Sequence, residues 1–104
     1  MSSPCFVKAE WGLDFLTDKI YTVSGTLVPD VTGTYNPDGF YNNRESLVLA
    51  AGGWFIWWDG TANWKISTVK GTEGTDFWTR TDPSIEGAYT AGGTATGEAT
   101  VAEA

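Results

Sequence analysis

Over residues 20–104 apolar and polar positions alternate with a period of two, the mark of strands that turn one face to a core. In KIYTVSGTLV, Tyr21, Val23 and Leu27 point inward and Ile20, Thr22, Ser24 and Thr26 point out. Pro29 and Asp30 end this strand, because proline has no amide proton for a ladder. TGTYNPDGFYNN then predicts a short strand, a Pro-Asp-Gly turn at 37–39, a second short strand and an Asn-Asn turn, ahead of a strand around Leu47–Leu49. Glycine-containing turns separate WFIWW, ANWKISTV, TDFWTRT, EGAYTA and TATGEATVA. The spacing predicts about eight or nine short strands in one all-β antiparallel domain, a small sandwich or a barrel-like closure. The last segment, GGTATGEATVAEA, has small residues and no rings, and suits an edge strand, an exchanged strand or a loose tail.

Residues 1–19 break this rhythm. Phe6, Trp11, Phe15 and Leu16 are apolar without alternation, so this stretch reads as an arm that packs on something, or as a first strand with a frayed end. The chain therefore divides into an arm, 1–19, and an all-β domain, 20–104.

Within the domain, PDVTGTYNPDG at Pro29–Gly39 aligns without gaps on PSIEGAYTAGG at Pro83–Gly93. Both read Pro-x-(Val/Ile)-x-Gly-x-Tyr. Such a pseudo-repeat predicts two like turn-strand units, with Val31 or Ile85 and Tyr35 or Tyr89 on one face and glycines at tight turns.

The densest run of rings is GGWFIWWDG, Gly52–Gly60. Strand geometry sets Trp54, Ile56 and Trp58 on one face, Phe55, Trp57 and Asp59 on the other. In the following NWKIS, Trp64 and Ile66 are apolar while Asn63, Lys65 and Ser67 are polar, which predicts one buried face. A five-residue loop, Asp59–Asn63, pairs Trp58 with Trp64 and Ile56 with Ile66, and makes Trp54, Ile56, Trp58, Trp64 and Ile66 core residues alongside Tyr21 and Val23. A two-residue Asp59-Gly60 turn would instead send Trp54 and Trp58 outward. In the first register Phe55 and Trp57 stand on the outer face, to be covered by another sheet, a neighbouring subunit or a ligand. The hairpin holds more apolar surface than a chain of this size is expected to hide alone, so it is expected to meet a second molecule.

Composition narrows the chemistry. Thirteen acidic against six basic residues give a formal net charge of −7, which repels nucleic-acid phosphates. No apolar run reaches the length of a membrane helix, and MSSPCFVKAEWG lacks the basic-then-apolar layout of a Sec signal, so neither a membrane nor a nucleic acid is an expected partner. Histidine is absent, which removes Ser-His-Asp triads, Cys-His dyads and His-ligated zinc. Cys5 has no second cysteine to bridge, and its nearest cation is Lys8, so it reads as inert. Asp30, Asp38, Asp59, Asp76, Asp82 and Glu86 recur near turns, where carboxylates are mostly solvated turn formers. No catalytic residue, metal site or cofactor is predicted, and the expectation is a non-enzymatic protein.

Taken together, YTVSGTLVPDVTGTY (21–35), WFIWWDG with WKIS (54–60, 64–67), DPSIEGAY (82–89) and GTATGEATV (93–101) resemble small Trp- and Gly-rich all-β proteins of tailed bacteriophages and related environmental sequences. The likeness runs over residues 20–102 and brings no functional residues with it. It implies a virion part assembled in the host cytoplasm, a capsid decoration protein or a tail- or fibre-associated module, that self-associates or docks on a capsid or tail protein. The arm would serve its attachment. A second expectation, of another class, is a glycan-binding module in which Trp57 and Phe55 stack on sugar faces while Asp59 or Asn63 bonds hydroxyls.

Overall fold

The structure is a computed structural model that describes residues 19–104. The arm residues Phe6, Trp11, Phe15 and Leu16 lie outside the described residues. Eight strands follow one another: β1 (Tyr21–Ser24), β2 (Gly33–Tyr41), β3 (Arg44–Leu49), β4 (Phe55–Trp58), β5 (Asn63–Ser67), β6 (Asp76–Thr81), β7 (Gly87–Gly93) and β8 (Ala99–Glu103). Each pairs antiparallel with the next, and β8 pairs back on β1, so the sheet closes into a barrel. Of the two all-β forms expected, the barrel is the one adopted. Closure leaves no unpaired edge among the eight described strands.

Inward side chains fill the interior, as expected of so small a barrel. Tyr35, Leu47, Ile56, Ile66, Trp78, Tyr89 and Val101 are all essentially sealed from solvent, with Tyr21 and Val23 beside them. The two pseudo-repeat units occupy like places, leading into β2 and β7. In each, the tyrosine hydroxyl donates to the carbonyl four residues upstream: Tyr35 to Val31 at 2.8 Å, Tyr89 to Ile85 at 2.7 Å. The hydroxyl thereby satisfies a buried polar group at each strand entry. Gly33 and Gly87 open these strands at φ 136° and 132°, a region that side chains disfavour.

Two local expectations are corrected. Pro37-Asp38-Gly39 does not turn the chain. It is a bulge inside one long β2, where pairing with β3 shifts between Pro37–Leu47 and Phe40–Glu45. The bulge is stitched by Ser46, whose hydroxyl donates to the Asp38 carbonyl at 2.8 Å, while Lys70 donates to the same oxygen at 2.8 Å. The chain turns only at the second expected place, Asn42-Asn43, at φ 52° and 69°, where a two-residue hairpin connection needs left-handed residues. The small-residue C-terminal segment supplies β8, which is paired on both sides and is neither an edge nor a loose tail.

Candidate functional site

The β4–β5 hairpin takes the five-residue connection. Ile56 pairs with Ile66, Trp57 with Lys65 and Trp58 with Trp64. Trp58 and Trp64 tilt against each other at 5.4 Å, and with Ile56 and Ile66 they sit in the barrel interior. Trp54, just before β4, is only partly buried and meets Trp78 edge-on at 6.0 Å.

The outer face departs from expectation. Trp57 is 4 % exposed, and the polar residues opposite are buried with it: Lys65 at 9 % and Ser67 at 0 %. Both faces of the hairpin are covered, and the cover is the chain's own. Residues 68–75, between β5 and β6, fold back over this face. The Ser67 hydroxyl organises the fold-back: it accepts the Trp57 indole N–H at 2.9 Å and lies 2.9 and 2.7 Å from the Val69 and Thr72 carbonyls, which compete for its one proton. Tyr41 abuts Trp57 edge-on at 5.9 Å. Gly71 passes so close to the Tyr41 hydroxyl that a Cβ there would come within 2.3 Å of it. Lys65 Nζ is paired with the Glu73 carboxylate and lies 5.3 Å from the centre of the Phe77 ring, so the buried cation is compensated. Phe55 is half-buried, with Lys70 Nζ 5.7 Å from its ring centre.

The expected ligand platform is therefore not presented. Trp57 has no free face, and the polar groups beside it are committed to the hairpin loop. Asp59 Oδ1 accepts from the Thr61, Ala62 and Asn63 amides and the Thr61 hydroxyl, and its Oδ2 accepts the Asn63 side-chain amide at 2.8 Å. Partial burial works against the Asp59 charge, but these donors outweigh it and hold the carboxyl well below its usual range. Asn63 Oδ1 in turn accepts the Thr81 hydroxyl at 2.6 Å. A hollow of about 480 Å³ remains here, lined by Tyr41, Asn42, Trp57, Asp59, Lys65, Gly71, Thr72 and Glu73. Its charged members are already engaged, Lys65 with Glu73 and Asp59 with the donors of its own loop. The ring surplus of the hairpin needs no second molecule to cover it.

A larger cavity, about 510 Å³, opens at the barrel end where the chain enters β1 and leaves β8. Its wall follows the ladder. Phe40 pairs with Glu45, Glu45 Oε2 accepts the Tyr21 hydroxyl at 3.1 Å, Tyr21 pairs with Glu103, and Glu86 Oε2 accepts the Glu103 amide at 2.7 Å. The opposite side is closed by Arg44. Its guanidinium lies 4.1 Å from the Trp58 ring centre, a cation–π contact, and donates to the Pro83 carbonyl at 2.9 Å, which also accepts the Trp64 indole N–H at 3.0 Å. Burial, then the charge and hydrogen bond of Glu45, then the charges of Glu103 and Glu86, push the Tyr21 phenol far above its usual range. Three carboxylates thus act on one hydroxyl. Among the described residues no group of three Asp, Glu or Cys side chains is arranged to hold a metal ion.

Phe40 stands at the lip. It is 69 % exposed, and every other aromatic side chain among the described residues is buried or half-buried. Sequence periodicity missed it. The bulge before it adds a residue and re-aims the strand end, so alternation counted from Tyr35 assigns the wrong face. A ring between two turn signals was the available clue.

Compared with known proteins, the chain matches no family model, no curated protein and no solved structure.

Proposed function

We propose that this protein is a non-enzymatic docking module that seats the terminal mouth of its barrel on a partner protein within a larger assembly. The observation that carries the reading is Phe40: the one exposed ring among the described residues, at the edge of a cavity large enough to take a side chain. An exposed aromatic beside a concave, hydrogen-bonding surface is the usual anchor of a protein interface. The closed sheet supports it as well, because a barrel without edges can stand at high density beside its copies without pairing strands. The assembly we propose is the particle of a tailed bacteriophage, as a decoration or a tail- or fibre-associated part. The support for that setting is the likeness of the strand and turn motifs over residues 20–102.

The test is to probe purified particles from the producing host for the chain by mass spectrometry, and to follow the isolated protein by light scattering. The expected result is stoichiometric presence in particles and rebinding of added protein to stripped ones. Absence from particles, together with a monomer that binds none, overturns the reading.

A further inference from the structure

The chemistry of the mouth singles out its partner. Of the charged groups around it, Arg44 is engaged by Trp58 and Pro83, and Lys19 is mostly exposed at the rim, 4.0 Å from Glu103. Glu45 and Glu86 each engage one carboxylate oxygen with the chain itself, Glu45 with the Tyr21 hydroxyl at a part-buried position and Glu86 with the Glu103 amide at the surface. Their other carboxylate oxygens have no partner among the described residues. Both carboxylates line the cavity that the exposed Phe40 ring borders, with Glu45 paired directly across from Phe40. That combination of ring and carboxylates suits a side chain with an apolar stem and a cationic head. A second copy of this chain, itself at −7, is disfavoured by charge.

We propose that the mouth takes a lysine or arginine side chain, presented by a segment of the docking partner, with its methylenes against Phe40 and its cation between Glu45 and Glu86. This rests on the docking reading and gives that contact its chemistry. The charges steer approach and set specificity, and the ring supplies the desolvated contact. Glu103, on β8, also lines the cavity and adds to the field.

The experiment titrates the intact chain with short Gly-Ser peptides carrying a lysine pair, an arginine pair or a glutamine pair, followed by amide chemical shifts. With lysine or arginine, saturable shifts are expected at Phe40, Glu45 and Glu86, weakening as salt rises. The glutamine peptide should leave them still. The double variant Glu45→Gln with Glu86→Gln, which keeps side-chain shape and the acceptor for Tyr21, should weaken binding about tenfold, and Phe40→Ser should weaken it separately. Unchanged amide dispersion in the variants shows that they fold. Equal shifts with the glutamine peptide, shifts away from the mouth, or a response to neutral oligosaccharides and none to basic peptides each overturn the inference. Particle binding separates it from the docking reading. If the double variant still loads onto stripped particles at wild-type strength, the basic contact is wrong and docking stands; if the peptides bind but particles never do, the docking reading alone fails.

Discussion

The two faces of the β4–β5 hairpin are both closed to water, but by different means. The inner face, Ile56, Trp58, Trp64 and Ile66, is one wall of the barrel, locked by strands from the whole circumference. The outer face, Trp57 with Lys65 and Ser67, is covered by residues 68–75, held through the Ser67 hydroxyl, two ion pairs (Lys65–Glu73 and Lys70–Asp38) and the close approach of Gly71 to Tyr41. Inside, closure depends on shape. Outside, it depends on polar anchors that a short loop can satisfy. A run of rings is thus no evidence of a partner until the chain's own loops have been accounted for.

The sharpest way to break this contrast is Trp64→Ala. Removing a buried indole from the barrel wall is expected to cost about 3–5 kcal/mol and to lower the whole unfolding transition, read by urea titration. Trp57→Ala should cost less, about 2 kcal/mol, because a loop relaxes where a barrel cannot. Hydrogen exchange would show amides of 68–75 losing protection while β1, β2 and β8 keep theirs; equal costs for the two tryptophans would erase the distinction. Gly71→Ala is expected to cost about 1–2 kcal/mol, since the residue sits at φ 87° and a Cβ would strike Tyr41. Smallest is the acid response of the loop joining the faces. The Asp59 carboxyl is held below its unfolded value of 3.8, so its contribution is complete above that pH and is lost as pH falls below it. An Asp59→Asn variant should show a flatter fall in thermal midpoint between neutral and acid pH.

Much of this was legible in the residues. The register of the hairpin followed from matching two apolar faces, because a slip of one residue would have turned Trp64 and Ile66 away from Ile56 and Trp58. The paired Pro-x-(Val/Ile)-x-Gly-x-Tyr motifs marked two strand entries with the same hydroxyl bond. What escaped was non-local. Lys65 and Ser67 read as solvent-facing because their identities are polar, and no period announces a loop that returns to cover them. The bulge at Pro37–Gly39 carries the composition of a turn, and only pairing with β3 distinguishes the two. The mouth is assembled from β1, β2, β3, β8 and the β6–β7 connection, so Tyr21, Phe40, Glu45, Glu86 and Glu103 never appear as a motif.

Barrel closure has a practical corollary for engineering. Where β1 and β8 meet, the Ala104 amide donates to the Ile20 carbonyl at 2.8 Å, so positions 19 and 104 are neighbours in space. A brief linker between them, with new ends cut at the Asn42-Asn43 hairpin, should yield a circular permutant with the same wall. By the same token the unit can be spliced as a cassette into an exposed loop of another protein without prying that host apart.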